Sequence, residues 1–418
     1  MNAVTLKTAS ASDMVATEAA TIPAADRRAY RMSCIDLLRG LVIVVMALDH
    51  VRDFTMTASL QDPITDPSTG PLLFATRWIT HFCAPTFVFL AGISAGLMAR
   101  RKSQPELGRF LFTRGLWLIA VEVLLISSAA SFAPWGVAEL GGRTYVGLQV
   151  IWAIGVSMLA LAGAQFLGRW ACLSIGAVIV CGHNLLDAWW PAASSTAATG
   201  PLWAVLHARQ LHDMGPFSVY FSYPVLPWIG VMLLGYGAVG MFQGSPRDRE
   251  QRLAWTGIGL MLGFVVLRAL NVYGDPHLWQ AYPGNPAASV MSFLATTKYP
   301  PSLLYLLMTL GPAAIACAYA ERLPGRIQQI LLTYGRVPFA FYVVHFYLIH
   351  CVAMAVGVMQ GFAAQQFLTH YRYFPKGYGV GLGGVYLIWI LVVVSLYPWC
   401  RWVASVKARR SDWWLSYL

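Results

Sequence analysis

Long apolar segments recur along the whole chain and are separated by short polar connections. At about 1.5 Å of rise per residue, a helix of roughly 20 apolar residues crosses the hydrocarbon core of a bilayer. The pattern predicts ten membrane-spanning helices, at about residues 35–54, 76–99, 108–130, 145–167, 170–190, 221–242, 253–273, 301–320, 337–358 and 380–402. The segments near 200–218 and 276–300 are rich in Pro, Gly and aromatic residues, which favours long connections. We therefore expect an all-α, polytopic transmembrane helix bundle.

The composition agrees with a membrane protein rather than a soluble domain. Hydrophobic residues make up 57% of the chain and charged residues 11%, and the mean hydropathy is +0.58. The net charge of +11 does not indicate a nucleic-acid partner, because the basic residues lie in short connections between apolar segments. The seven cysteines are dispersed and contain no CxxC pair, so neither a metal site nor a disulfide framework is expected.

Connections that are rich in basic residues alternate along the chain with connections that contain few. Arg100, Arg101 and Lys102 follow the second span, whereas the connection before that span contains Asp62 and Asp66 and no basic residue. By the positive-inside rule both termini are cytoplasmic, and we expect a multi-pass protein of the cell (inner) membrane. Residues 1–32 are rich in Ala, Thr and Ser, which predicts a disordered cytoplasmic tail before a membrane domain at 33–418.

The first span carries ionisable residues at both ends. At about 100° per residue, Asp36, Arg39, Met46, His50 and Asp53 fall on one face of a helix. A charged side chain at mid-bilayer costs about 2.5–3.5 kcal/mol on insertion scales, so such residues usually face a cavity. The stripe predicts a polar path along this helix.

Candidate catalytic residues lie near the outer ends of the first two spans. His50 suits general-base work, because an unperturbed histidine has a pKa near 6.5. Asp49 is a carboxylate next to it in sequence, although adjacent helical residues do not face each other. Arg77 and His81 share a helix face, and Pro85 behind them predicts a kink. The alternative for each is a structural hydrogen bond between helices.

Arg77 and three further residues are candidates for substrate binding. Lys298, just before the eighth span, suits a phosphate or carboxylate, and the alternative is an interfacial anchor. Asn271 lies at the end of the seventh span, where its amide suits an oxyanion or a structural network. His345 lies inside the apolar ninth span and needs a polar partner.

Five sequence elements resemble, in order, the catalytic membrane domain of heparan-alpha-glucosaminide N-acetyltransferase, and more closely its bacterial relatives. They are Asp36-Leu-Leu-Arg39-Gly40, Ala84-Pro85-Thr-Phe-Val-Phe-Leu-Ala-Gly92, Tyr223-Pro-Val-Leu-Pro-Trp228-Ile-Gly230, Thr297-Lys298 and Tyr342-Val-Val-His345. The matching elements run from about residue 33 towards the C-terminus.

The resemblance implies an integral membrane acyltransferase. It would move an acetyl group from cytosolic acetyl-CoA to an amine or hydroxyl of a sugar-like small molecule or glycan on the outer side, without a metal. Asp36 and Arg39 would then lie towards the acyl-CoA. The family's catalytic histidine lies in the connection between the first two spans, where no histidine of this chain matches cleanly. His50 and His81 are therefore alternatives for the catalytic histidine. The sequence also leaves open whether the protein forms a homodimer.

Two other functions fit the same polar residues. They could form the occluded site of a multi-pass transporter of a small polar solute, which predicts flux without acyl-CoA. They could also hold helices together in a structural membrane protein, in which case substitutions would lower stability alone.

Overall fold

The computed structural model describes residues 32–57, 62–66, 68–188, 200–410, 412 and 415. Apart from Met32, the predicted tail at 1–32 lies outside these residues. The described helices are α1 (Ser33–Thr55), α2 (Pro71–Thr80), α3 (Cys83–Met98), α4 (Gln104–Val121), α5 (Ser127–Ser131), α6 (Val150–Ala164), α7 (Arg169–Gly182), α8 (Pro201–Leu206), α9 (Val225–Gly237), α10 (Pro246–Leu270), α11 (Pro286–Leu294), α12 (Leu303–Tyr319), α13 (Gly325–Gly335), α14 (Pro338–Met359) and α15 (Leu382–Arg409). A π-helical turn, Glu122–Ile126, joins α4 to α5.

The predicted all-α polytopic bundle is confirmed. Nine helical segments of the described chain are long and apolar enough to cross a membrane. The 23 residues of α1 are long enough as well, but this helix carries Asp36, Arg39, Asp49, Arg52 and Asp53. The ten predicted spans thus correspond to these nine segments and α1.

A small sheet corrects two sequence expectations. Its strands are β1 (Thr144–Leu148), β2 (Gln210–Met214) and β3 (Phe217–Phe221), with β3 in the middle, parallel to β1 and antiparallel to β2. The expected helix start at 145 was wrong, because a short apolar run has no periodicity that separates strand from helix. The segment near 200–218 was expected to be a connection, but it forms α8 and a hairpin turning at Gly215, whose φ is +59°.

Helix α1 lies at the centre of the bundle, where it packs against α3, α12, α13, α14 and α15. The short helix α13 was not predicted, and its close contact with α1 depends on two glycines. A Cβ on Gly335 would lie 1.8 Å from the Asp36 carbonyl oxygen, and one on Gly40 would lie 2.0 Å from that of Leu331. Small residues at a helix interface permit this backbone approach in a membrane.

The second predicted span is interrupted between α2 and α3, as Pro85 predicts. Proline has no N–H, so the carbonyl of His81 four residues earlier loses its helical partner. The hydroxyl of Tyr305 on α12 donates to that carbonyl instead, at 2.7 Å. The break changes the direction of the chain between α2 and α3. Arg77 of α2 contacts Asp49 near the C-terminal end of α1.

Candidate functional site

A polar cavity of about 90 Å³ lies at the C-terminal end of α1. It is enclosed by α1, α2, the sheet, the segment before α12 and the turn at 371–373. Its lining residues are Asp49, His50, Arg52, Asp53, Phe54, Asp62, Arg77, Tyr145, Gln149, Arg209, Tyr220, Ser222, Tyr223, Lys298, Tyr299, Phe346, Tyr371 and Arg372.

A second, apolar cavity of about 260 Å³ lies further towards the N-terminal end of α1. Its lining residues are Arg39, Ile43, Met46, Phe87, Ala91, Ser94, Met98, Phe110, Leu111, Arg114, Leu118, Val150, Ile151, Ile154, Met158, Pro338, Phe339 and Tyr342. The two cavities are neighbours. Met46 lines one and His50, one turn later, lines the other, while Val150 and Gln149 are consecutive residues. His50 therefore lines the part of the polar cavity that is nearest to the apolar cavity.

His50 is hydrogen-bonded to His345 of α14, with 2.7 Å between Nδ1 of His50 and Nε2 of His345. The other nitrogen of His345, Nδ1, bonds to the carbonyl oxygen of Tyr342. A carbonyl can only accept, so Nδ1 of a neutral His345 carries the proton and its Nε2 accepts from His50. This leaves Nε2 of His50, which no described residue bonds, as a free lone pair.

Aromatic side chains hold the two imidazole rings in place. Phe346 lies 4.4 Å from His50 between ring centroids, and Phe341 stacks on His345 at 5.3 Å. The ring of Tyr342 packs edge-to-face with His50 and at a tilt to His345, with 6.3 and 5.4 Å between ring centroids. Its hydroxyl is buried and has no hydrogen-bond partner among the described residues. Packing thus fixes the orientation of the pair without a carboxylate.

Asp49 holds cations rather than the His50 ring. Nη1 of Arg77 donates to both its oxygens at 2.8 and 2.6 Å, and the Thr80 hydroxyl donates at 2.9 Å. Nη2 of Arg52 lies 2.9 Å from one of those oxygens, and Nζ of Lys298 lies 3.9 Å from the other. The Asp49 carboxylate therefore organises the cationic wall of the polar cavity.

Asp62 extends this network from the connection between α1 and α2. It accepts from Nε and Nη2 of Arg77 at 3.1 and 3.2 Å. Burial alone would raise the pKa of the Asp62 carboxyl, but the charge and hydrogen bonds of Arg77 outweigh burial and hold that pKa well below its usual range. Asp62 is thus an anion whenever the protein is folded near neutral pH.

At the far end of the apolar cavity, Arg39 is held by two helices. Its Nη1 donates to Asp36 at 3.1 Å, and its Nη2 donates to the Leu90 carbonyl and the Ser94 hydroxyl of α3. Arg39 lines the cavity, whereas the buried Asp36 does not. Arg114 lines the same end and lies over the ring of Phe339. Two guanidinium groups thus border an otherwise apolar chamber.

A family model described as heparan-alpha-glucosaminide N-acetyltransferase, catalytic, matches residues 31–274, which is more than half of the chain. The chain belongs to this family. Heparan-alpha-glucosaminide N-acetyltransferase catalytic domains are transmembrane acetyltransferases, so the protein has a multi-pass acetyltransferase domain. Comparison with curated proteins gives no match. The matched region includes His50, Arg39 and Arg77, while Lys298 and His345 reach the same site from beyond it.

Of the two candidate histidines, His50 alone lines the polar cavity. His81 is buried at the break between α2 and α3, and neither of its ring nitrogens has a hydrogen-bond partner among the described residues. Its backbone carbonyl serves Tyr305. Of the two histidines, His50 is therefore the one whose side chain borders the polar cavity.

Asn271 lies apart from both cavities. It ends α10 with a φ of +58°, and its side chain both donates to the carbonyl and accepts from the N–H of Trp279. Asparagine tolerates this left-handed conformation better than most residues. The amide of Asn271 thus binds the loop that follows α10, and Asn271 lines neither cavity.

Several lining residues were not predicted from the sequence, and four of them are Arg209, Tyr220, Tyr299 and Arg372. They lie in connections between spans, where an arginine or tyrosine is commonplace at a membrane interface. Arg209 lies over the rings of Tyr299 and Tyr220 at 4.1 and 5.4 Å. Burial alone would raise the pKa of Tyr299, but the charges of Lys298, Arg77 and Arg209 lower it. The cavity therefore has a positive electrostatic field.

Proposed function

We propose that this acetyltransferase uses cytosolic acyl-CoA and transfers the acyl group to an amine or hydroxyl of a sugar-like acceptor on the outer side. The observation that carries the proposal is the position of the His50–His345 pair between an apolar and a polar cavity. A donor in one cavity and an acceptor in the other would both reach His50.

The apolar cavity suits the donor. Its volume of about 260 Å³ and its apolar lining would accept a pantetheine arm, and Arg39 and Arg114 at its far end would meet the phosphates. Basic residues Arg100, Arg101 and Lys102 follow α3 at that end of the bundle. The positive-inside rule supports a cytoplasmic location for this end.

The proposed chemistry uses Nε2 of His50 as a general base. This lone pair takes a proton from the acceptor amine or hydroxyl as its nitrogen or oxygen attacks the thioester carbonyl carbon. The carbon–sulfur bond then breaks, and the proton passes from His50 to the departing thiolate of CoA. His345 accepts from Nδ1 of His50 and stabilises the imidazolium that forms between these steps. The unpartnered hydroxyl of Tyr342 would donate to the developing oxyanion.

We favour direct transfer over an acyl-histidine intermediate, because adjoining cavities can hold donor and acceptor together. In direct transfer, labelled CoA does not exchange into acetyl-CoA when the acceptor is absent. Rapid exchange under those conditions would instead indicate that His50 is acylated.

The first experiment measures acetyl-CoA binding and slow thioester hydrolysis by the protein purified in detergent. Arg39→Ala should lose binding, whereas His50→Gln should bind acetyl-CoA and lose hydrolysis. Arg109→Ala, an exposed arginine on the same helix as Arg114, is the matched control and should behave as wild type. Failure of the wild type to bind any acyl-CoA, with solute flux in proteoliposomes, would favour the transporter alternative.

A further inference from the structure

The polar cavity has an excess of positive charge. Five cationic side chains line it, Arg52, Arg77, Arg209, Lys298 and Arg372, against three carboxylates, Asp49, Asp53 and Asp62. Uncompensated charge in a confined site is costly, so such an excess is usually balanced by a bound counter-ion or ligand. The excess of two positive charges indicates that the cavity binds an anion.

The three carboxylates are already engaged by two of the cations. Arg77 contacts Asp49 and Asp62, and Arg52 contacts Asp49 and Asp53. These pairs account for one wall of the cavity, along α1 and α2. Lys298 reaches Asp49 only at 3.9 Å.

Arg209 and Arg372 also line the cavity, and neither lies within 4.0 Å of a carboxylate of the described residues. Their guanidinium carbons lie 5.4 and 6.0 Å from the centroid of the same ring, that of Tyr220. The Nε of Arg209 is buried and has no hydrogen-bond partner among the described residues. Arg372 also has a hydrogen bond with the Tyr371 side chain, and against the effect of burial the nearby Asp53 carboxylate helps to raise the pKa of its guanidinium. A guanidinium has five N–H donors, so contacts of this kind hold its plane in place and still leave donors for a ligand.

We propose that the acceptor carries a phosphate group, which Arg209 and Arg372 bind while the nucleophilic amine or hydroxyl faces His50. A phosphate monoester carries about −1.5 to −2 charges near pH 7, which matches the excess of the cavity. Arginine forks bind phosphate oxygens in a bidentate manner. The proposal rests on the proposed function, since it specifies the acceptor of that reaction. It accounts for the two cations of the cavity that form no ion pair within 4.0 Å among the described residues.

Inorganic phosphate is the probe for this site. The unfolding midpoint of the protein in detergent is measured against phosphate and against chloride of equal ionic strength, for wild type, Arg209→Gln and Arg372→Gln. Phosphate should raise the unfolding midpoint of wild type saturably. Each variant should reach half of its maximal stabilisation only at a phosphate concentration at least about ten times higher. Arg143→Gln, a half-exposed arginine outside the cavity, should retain wild-type affinity.

Two results would overturn the proposal. One is equal stabilisation by phosphate and chloride, and the other is an equal loss of phosphate affinity in Arg143→Gln. If Arg209→Gln does not fold, Arg209→Lys serves instead, because it keeps the charge and removes the fork. Its phosphate affinity should also fall, and wild-type affinity in that variant would contradict recognition by the guanidinium.

The source of the phosphate is resolved by displacement of radiolabelled phosphate. Displacement by glucosamine 6-phosphate, and not by glucosamine, would identify a soluble sugar phosphate. Displacement by phosphatidic acid in nanodiscs, and not by phosphatidylcholine, would identify a lipid headgroup. Failure of both phosphorylated compounds to displace the label would refute an acceptor phosphate at this site.

Acetyl-CoA binding on the same samples separates this proposal from the proposed function. Arg209→Gln and Arg372→Gln should bind acetyl-CoA as wild type does, because neither residue lines the apolar cavity. Arg39→Ala should retain phosphate binding, which excludes the donor cavity as the phosphate site. Phosphate binding without acetyl-CoA binding would refute the acyl-CoA donor alone, and the reverse would refute the phosphate site alone.

Discussion

One backbone carbonyl sets the protonation pattern of the histidine pair. The Tyr342 carbonyl can only accept, so Nδ1 of His345 carries a proton and its Nε2 accepts from Nδ1–H of His50. Nε2 of a neutral His50 is then unprotonated. His50 lines the polar cavity, whereas His345 lines neither cavity. The two histidines should thus differ in function, one touching substrate and the other holding its tautomer.

We expect His345→Phe to lower kcat for thioester hydrolysis about 100-fold while leaving KM for acetyl-CoA nearly unchanged. The substitution keeps a ring of similar shape but removes the acceptor of His50 Nδ1–H. Steady-state hydrolysis in detergent measures both constants. His350→Phe is the control, since His350 is buried on the same helix and bonds only to the carbonyls of Ala129 and Phe367. An equal loss of kcat in both variants would argue that repacking alone is responsible.

Asp62→Asn should lower the stability of the protein by about 1–2 kcal/mol at neutral pH. The pKa of Asp62 is depressed in the folded state, so its contribution is complete above the unfolded value of about 3.9 and is lost as pH falls below it. The unfolding midpoints of wild type and variant, measured from pH 7 to pH 3, should therefore converge on acidification. Asp66→Asn, at an exposed carboxyl in the same connection, should have a smaller effect at pH 7. A difference that stays constant with pH would contradict the ion pair with Arg77.

Part of the site could be predicted at the residue scale. His50 and Arg39 stand out because an ionisable side chain is costly inside an apolar helix. The pairing of His50 with His345 could not be predicted, since 295 residues separate them and no local pattern encodes the contact. Arg209 and Arg372 were missed for a different reason: a polar residue in a connection carries no cost that marks it.

At the scale of elements, α1 combines a central position in the bundle with buried ionisable side chains, two features that rarely occur together in a membrane helix. It lies at the centre of the bundle, yet it carries buried Asp36, Asp49 and Arg52. Within α1, Asp36 pairs with Arg39, and Arg52 pairs with Asp49 and Asp53. Neighbouring helices add Arg77 of α2, which donates to Asp49, and the carbonyl and hydroxyl of α3 that hold Arg39. The position of the site therefore depends on how closely those helices pack.

We expect Gly335→Ala to destabilise the protein by about 1–3 kcal/mol, because the new methyl group would meet the Asp36 backbone carbonyl. The N-terminal part of α1 would shift, and acetyl-CoA binding beside Arg39 should weaken with it. Thermal unfolding in detergent and acetyl-CoA titration measure the two effects. Gly325→Ala, in the same helix but with no atom within 4 Å of its new methyl group, should be neutral or slightly stabilising. Equal behaviour of the two variants would contradict the close packing of α13 on α1.

Hydropathy predicted the long helices well and the short elements poorly. A segment of about 20 apolar residues has essentially one structure in a bilayer, since its backbone must satisfy its own hydrogen bonds. The strand Thr144–Leu148 and the helix Gly325–Gly335 are too short for such a constraint. Tertiary contacts decide their conformation, and a single sequence does not contain those contacts.

At the scale of the whole molecule, the two cavities follow one another along α1, where Met46 lines the apolar cavity and His50, one turn later, lines the polar cavity. Sequence reasoning predicted a polar stripe along this helix but not the division into an apolar and a polar chamber. That division depends on α4, α6 and α14 at one end and on the sheet at the other, which are remote from α1 in sequence. The orientation of the bundle in the membrane decides which of the two cavities is nearer to the cytoplasm.

The orientation can be tested with single cysteines in intact cells. Ser68→Cys lies in the connection between α1 and α2, and Ser103→Cys lies between α3 and α4; both sites are exposed. Because Arg100, Arg101 and Lys102 adjoin Ser103, the positive-inside rule assigns that connection to the cytoplasm. A membrane-impermeant maleimide should therefore label Ser68→Cys and spare Ser103→Cys, in a background where the exposed Cys181 and Cys351 are replaced by serine.

Permeabilised cells provide the control, in which both cysteines should react. Labelling of Ser103→Cys in intact cells would put Arg39 and the apolar cavity on the outer side, beyond the reach of cytosolic acyl-CoA. The proposed donor would then be excluded even if the purified protein bound it. Labelling of Ser68→Cys alone would instead leave His50 as the point at which a cytosolic acetyl group meets an acceptor that enters from outside.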